Sequence, residues 1–178
     1  MGLIITSKKK PDDSMKNTSN AVLDQYLTHV TALFASFERW SADFGLQVER
    51  GETTINEERH GQYQAHTLRL NDVQGKRIAE VVPFGESVIG ALGRVDLVGD
   101  YGKREKIVYL NEGGPTMTTR IQVGTDGTSE QGIRKLYRGV DTEGWFWLSP
   151  SPIRRAYPIS REVLADLLSA VTGHEFKY

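Results

Sequence analysis

The chain contains no cysteine. That excludes a disulfide framework, a thiolate zinc site, an iron–sulfur cluster and a cysteine nucleophile. It also fits a reducing compartment. No apolar run approaches the roughly 18 residues that a membrane-spanning helix needs. Neither sign of charge dominates. The 22 lysines and arginines face 23 acidic residues, for a formal net charge of -1. A chain so balanced is not a polycation that coats nucleic acid, so any charge-based function must come from uneven distribution. The first residues, Met1 to Lys10, place a few apolar side chains before their lysines, the reverse of a secretory signal. A cytoplasmic protein is expected. The alternative is a membrane-associated one: Met1-Gly2-Leu3-Ile4-Ile5-Thr6 matches the N-myristoylation pattern at Gly2, and Lys8–Lys10 would add an electrostatic membrane signal.

Motifs that name a reaction are also missing. Gly85-Glu86-Ser87-Val88-Ile89-Gly90 has glycines spaced like a phosphate loop, but Ala91-Leu92 stand where Lys-Ser/Thr is required. No serine occupies a Gly-x-Ser-x-Gly elbow. The four histidines, His29, His60, His66 and His174, include no pair at helical ligand spacing and read as ordinary polar residues. The paired carboxylates Glu57-Glu58 adjoin a loop and carry no sign of burial. Neither a metal nor a cofactor is expected.

What is present is pattern. A length of 178 residues suits one domain. Residues 1–18 read as a flexible tail and 19–178 as a single domain. Leu23, Tyr26, Leu27, Val30, Leu33, Phe34, Phe37, Trp40 and Phe44 recur at three- and four-residue spacing. They predict a long amphipathic helix capped by Ser19 or Asn20 and stopped at Gly45. Period-two patterning then predicts strands near 46–55, 62–70, 76–84, 92–98, 104–110, 117–123, 132–139 and 144–148. Short turns at 71–75, 99–102, 126–127 and 141–144 favour antiparallel neighbours. After Pro150 and Pro152, Ser160 caps a last helix with the stripe Val163, Leu164, Leu167, Leu168 and Val171, ended by Gly173. The expected fold is α+β: a curved antiparallel sheet of about seven or eight strands, mostly a meander. The N-terminal helix would pack on it, with the C-terminal helix at an edge or end.

Two features point towards function. Trp145 and Trp147 alternate with Phe146 and Leu148. A strand apolar on both faces is usually covered on both, and if it is not, the tryptophans form a platform for a partner. A strict meander also sorts the charges. Lys76, Arg77, Lys103, Arg104, Arg134, Lys135, Arg154 and Arg155 gather at one end with Asp72, Asp100, Asp126 and Glu130, so that end is basic by excess, while Glu86, Glu112, Asp141 and Glu143 gather at the other with no nearby lysine or arginine. A basic rim of this kind suits an anionic macromolecule. The expected function is a non-catalytic interaction module contacting such a partner, a protein before a nucleic acid, through Lys76, Arg77, Lys103, Arg104, Arg154, Arg155, Trp145 and Trp147. The sequence is compatible with a homo-oligomer.

Enzymatic alternatives centre on Asp96. Gly93-Arg94-Val95-Asp96-Leu97-Val98 and the following Ile107-Val108-Tyr109-Leu110 resemble the metal-binding strand pair of restriction-type nucleases. The resemblance implies Mg²⁺-dependent cleavage, with Asp96 as the catalytic carboxylate. It departs from the pattern at Glu105-Lys106, whose adjacency points them to opposite faces. The competing reading pairs Arg94 with Asp96 in a salt bridge. A third alternative is a small-ligand pocket between helix and sheet.

Overall fold

The computed structural model describes residues 13–86, 88–122, 129–150, 152 and 154–177, with the side chains of 13–19, 101, 120–122 and 129–131 excepted. Gly2, Lys8–Lys10 and the turn Asp126-Gly127 lie outside the described residues. The architecture is α+β. Helix α1 (Asp13–Asp43) is followed by β1 (Gln47–Glu57), β2 (Gly61–Asn71), β3 (Arg77–Gly85), β4 (Arg94–Gly99) and β5 (Arg104–Leu110). Then come β6 (Thr116–Gln122), β7 (Ser129–Lys135), β8 (Gly144–Leu148), β9 (Ala156–Pro158) and α2 (Arg161–Thr172). No helix among the described residues is long and apolar enough to cross a membrane.

Seven strands form one antiparallel sheet in the order β1-β2-β3-β4-β5-β8-β9. The up-and-down course holds through β5. There β6 and β7 leave the sheet as a separate two-stranded arm, and β8 takes the next place. Arg134 and Lys135 therefore pair with Met117 and Thr116 in that arm and not with a strand of the main sheet.

Helix α1 starts at Asp13, before the expected caps Ser19 and Asn20, and ends where Gly45 takes a φ of 72°. Its stripe does what the spacing dictates. Tyr26, Val30, Leu33, Phe34 and Phe37 are buried against Leu68, Leu70, Val81, Val95, Leu97 and Ile107, with Trp40 and Phe44 half-buried beside them. Phe37 is fully buried, and burial of one such ring contributes about 2–3 kcal/mol.

Helix α2 begins with the Ser160 hydroxyl accepting from the Val163 N–H at 3.3 Å and ends at left-handed Gly173. It does not sit at an edge or end. It lies on β4, the central strand, because Gly99 presents no side chain there: a Cβ at Gly99 would run into the carbonyl oxygen of Val171. Leu164, Leu168 and Val171 thereby reach the main core. Strand β9 is also additional to expectation. Its three residues are too few to show a period, and a tight return from β8 places them.

Gly99→Ala tests this packing. A backbone carbonyl cannot swing aside as a side chain can, so the cost should reach the upper part of the overpacking range, about 3 kcal/mol. Urea denaturation would show it, and an unchanged midpoint would mean that α2 does not rest on β4.

Candidate functional site

The turns of one sheet end bring most of the expected cations together. In the β2–β3 turn, Asp72 accepts from the Gln74 and Lys76 backbone N–H groups, each at 2.9 Å, and Gly75 takes a φ of 79°. The β4–β5 turn is a short 3₁₀ segment, Asp100–Gly102. These turns are neighbours: Lys76 Nζ lies 3.8 Å from Asp100 Oδ2. The β8–β9 connection, which carries Arg154 and Arg155, emerges at the same end. Much of the rim is internally compensated. Arg77 pairs with Glu80 at 3.3 Å and Arg104 with Asp96 at 2.9 Å. Lys103 is exposed. Arg155 lies over the Tyr157 ring at 5.4 Å.

Asp96 sits on the sheet face that bears no helix, with its side chain 3% exposed. Arg94 grips it with a two-pronged fork, Nε to Oδ1 at 2.6 Å and Nη2 to Oδ2 at 2.8 Å. Arg104 Nη1 adds a third bond to Oδ2. The Arg94 guanidinium in turn stacks 4.0 Å from the centre of the half-exposed Phe84 ring. Lys106 stands opposite Asp96 on the neighbouring strand, and Glu105 points to the other face. Two guanidinium groups thus neutralise the carboxylate, as the competing salt-bridge reading has it. Among the described residues no group of three His, Asp or Glu is placed to hold a metal ion.

Strand β8 is covered on both faces. Trp145 and Trp147 pack against the main core, while Phe146 and Leu148 join a second cluster with Val108, Leu110, Val140 and Ala156. The Trp145 indole donates to the His29 carbonyl at 3.1 Å, and Trp147 donates to Glu105 at 2.7 Å. Neither forms an open platform.

Two hollows adjoin these elements. One, of about 920 Å³, separates the back of β5 and β8 from the base of the β6–β7 arm. It is lined by Val108, Leu148, Met117 and Leu136, with Arg104, Lys106, Arg154 and Trp147 around them. The other, of about 560 Å³, lies between α1 and β2 and is lined mainly by Leu27, Val30, Ala32, Ala35 and Ala65. It lies at the helix–sheet boundary, the place that the small-ligand alternative would use.

The opposite sheet end holds a polar cluster that the sequence reading missed. Backbone pairing of β2 with β3 stops at Leu68–Val81, while β1 and β2 run on together to Glu57–Gly61. Side chains bridge the resulting split. His60 Nε2 meets Glu86 Oε2 at 2.9 Å, and Arg59 lies 3.6 Å from Glu86. Glu86 therefore has a basic neighbour, contrary to the charge sorting. Glu57 accepts from the Tyr63 hydroxyl and from the Glu86 N–H. Gly85 makes room, since a Cβ there would lie 2.5 Å from the Glu57 carboxylate. The Gly85 N–H donates to the Tyr26 hydroxyl, which donates to the Arg94 carbonyl at 2.9 Å. Glu57 and His60 flank one turn, but Glu86 lies 26 residues beyond His60 and no motif links them, so only the fold brings Glu86 to the other two.

Burial pushes the Tyr26 and Tyr63 phenols well above the usual tyrosine range, with the Glu57 bond adding to the effect at Tyr63. Tyr109 is pushed up to about 12 by burial and by its 2.7 Å bond to Glu143. Because these folded values exceed the unfolded one of about 10, the stabilisation is complete below pH 10 and is lost as pH rises through 10 towards 12. Titration monitored by tyrosinate absorbance should show these tyrosines ionising only as the fold opens. Ionisation of all seven tyrosines near pH 10 with the fold intact would contradict the burial.

Removing Asp96 leaves the Arg94 guanidinium, 15% exposed, without a counter-ion. Asp96→Ala should cost about 3–5 kcal/mol. Arg104→Ala removes a partner that is 49% exposed and should cost about 1 kcal/mol or less. Equal losses in chemical denaturation would refute a buried anchor at Asp96. No family model matches the chain, and neither a curated protein nor a solved structure matches it significantly.

Proposed function

We propose that this chain is a non-catalytic binding module that contacts an anionic macromolecular partner, a protein in the first instance, at the sheet end formed by the β2–β3, β4–β5 and β8–β9 turns. The observation that carries this reading is the convergence of Lys76, Arg77, Lys103, Arg104, Arg154 and Arg155 on three adjacent turns, two of them bridged by Lys76 and Asp100. A patch of one sign raises the encounter rate with an oppositely charged partner and orients the approach. The binding reading is favoured over metal-dependent cleavage because both oxygens of Asp96 already accept from guanidinium groups. A carboxylate neutralised in this way is a poor ligand for a divalent cation. The cysteine-free composition fits action in the cytoplasm.

Charge reversal at Lys76, Arg77 and Lys103 separates surface charge from fold, since none of the three is buried. The partner recovered with the wild-type chain from host extract should be lost from the triple variant, with an unchanged thermal midpoint. Salt should weaken the wild-type complex. Full retention of the partner by the triple variant would refute the rim as the contact.

A further inference from the structure

The cations of the rim differ in how far their charge is already used. Lys76, Arg77 and Arg104 each lie within ion-pair distance of an acid. Lys106 and Arg154 do not, among the described residues. Both border the cleft behind β5 and β8. Its volume of about 920 Å³ lies within the range of formed binding sites. Its floor holds four aliphatic side chains, Val108 and Leu148 from the sheet, Met117 from the arm and Leu136 just beyond it, and one acid, Glu105, lies among the cations of the border.

Arg154 carries a second sign. Its φ is 47°, the one left-handed backbone among the described residues other than glycine. An arginine there is strained, and the surroundings hold it in place: its carbonyl accepts from the Arg138 N–H at 3.1 Å. Strain of this kind concentrates where a side chain must be presented in a fixed direction. Glycine would satisfy the same backbone without strain but could present no charge.

We propose that this cleft is a docking groove for an acidic peptide segment that inserts an aliphatic side chain between sheet and arm. The aliphatic floor would take the inserted side chain, and Lys106 and Arg154 would meet flanking carboxylates. Nucleic acid fits less well. It calls for a track of cations and open aromatic faces. The Trp147 ring instead packs on Tyr157 at 5.5 Å, and its N–H is held by Glu105. The inference rests on the binding-module reading and narrows it to one place and one ligand chemistry.

The test uses the full chain and a fluorescein-labelled peptide of alternating Asp and Leu, followed by fluorescence anisotropy at low salt. The peptide should bind, and oligo-aspartate should bind about tenfold more weakly for want of an anchor. Arg154→Gly should weaken peptide binding about tenfold without lowering the thermal midpoint. A merely structural arginine would not give that combination. The proposal is overturned if the alternating peptide does not bind, if oligothymidylate binds as tightly, or if Arg154→Gly binds like the wild type. Its failure is distinguishable from failure of the wider reading. If the Lys76, Arg77 and Lys103 variant loses the host partner while Arg154→Gly retains it, the module stands and the cleft does not.

Discussion

The seven strands of the sheet present two faces to their surroundings, and α1 and α2 lie on the same one. That imbalance governs most of the structure. On the helix side, Leu68, Leu70, Val81, Val95, Leu97 and Ile107 of β2 to β5 are enclosed by α1 and α2. On the other side the same strands must meet water or find some other cover. Each part of that face has a different solution. Over β8 and β9, Val140 and Tyr137 close a small second core on Phe146 and Leu148. On β4 and β5, Arg94, Asp96 and Arg104 replace apolar contact with a network of charge-assisted bonds. The cleft opens at the junction of these two regions, where an apolar floor runs into a charged border.

The split between β2 and β3 is a second consequence. A sheet that loses its ladder exposes backbone groups, and those groups need partners. Here Glu57, Tyr63, His60, Glu86 and Tyr26 are drawn into the gap and satisfy one another and the nearby N–H groups. The buried carboxylate of Glu86 and the half-buried one of Glu57 thus follow from the architecture.

The helices and hairpins were legible in the sequence for simple reasons. Nine apolar residues at helical spacing can bury only one stripe, and Ser160 and Gly173 mark the ends of α2 by their capping chemistry. The alternation in 144–148 announced a strand covered on both sides, and Trp145 and Trp147 pack accordingly. The position of α2 was not legible, because Gly99 says that something approaches closely and does not say what. The departure of β6 and β7 was hidden as well, since an arm and a sheet strand share the same period. The cluster around Glu86 had no local signal, since its members lie on β1, on β2, in the loops at 58–60 and 86–93, and on α1.

Charge shows the same limit. Counting residues near turns treats every cation of that end alike, although Lys76, Arg77 and Arg104 already pair with acids. Arg104 illustrates why that matters. To bind an external carboxylate it would have to loosen its hold on Asp96, whose side chain is almost completely buried. The exchange gains one exposed ion pair and weakens a buried one, which is unfavourable. Arg77 faces a milder form of the same competition from Glu80. The cations whose attraction is least committed are Lys103, Lys106 and Arg154, and two of those three border the cleft. Under the proposed binding reading, the contact with an anionic partner would centre there, with the rest of the rim steering approach at longer range.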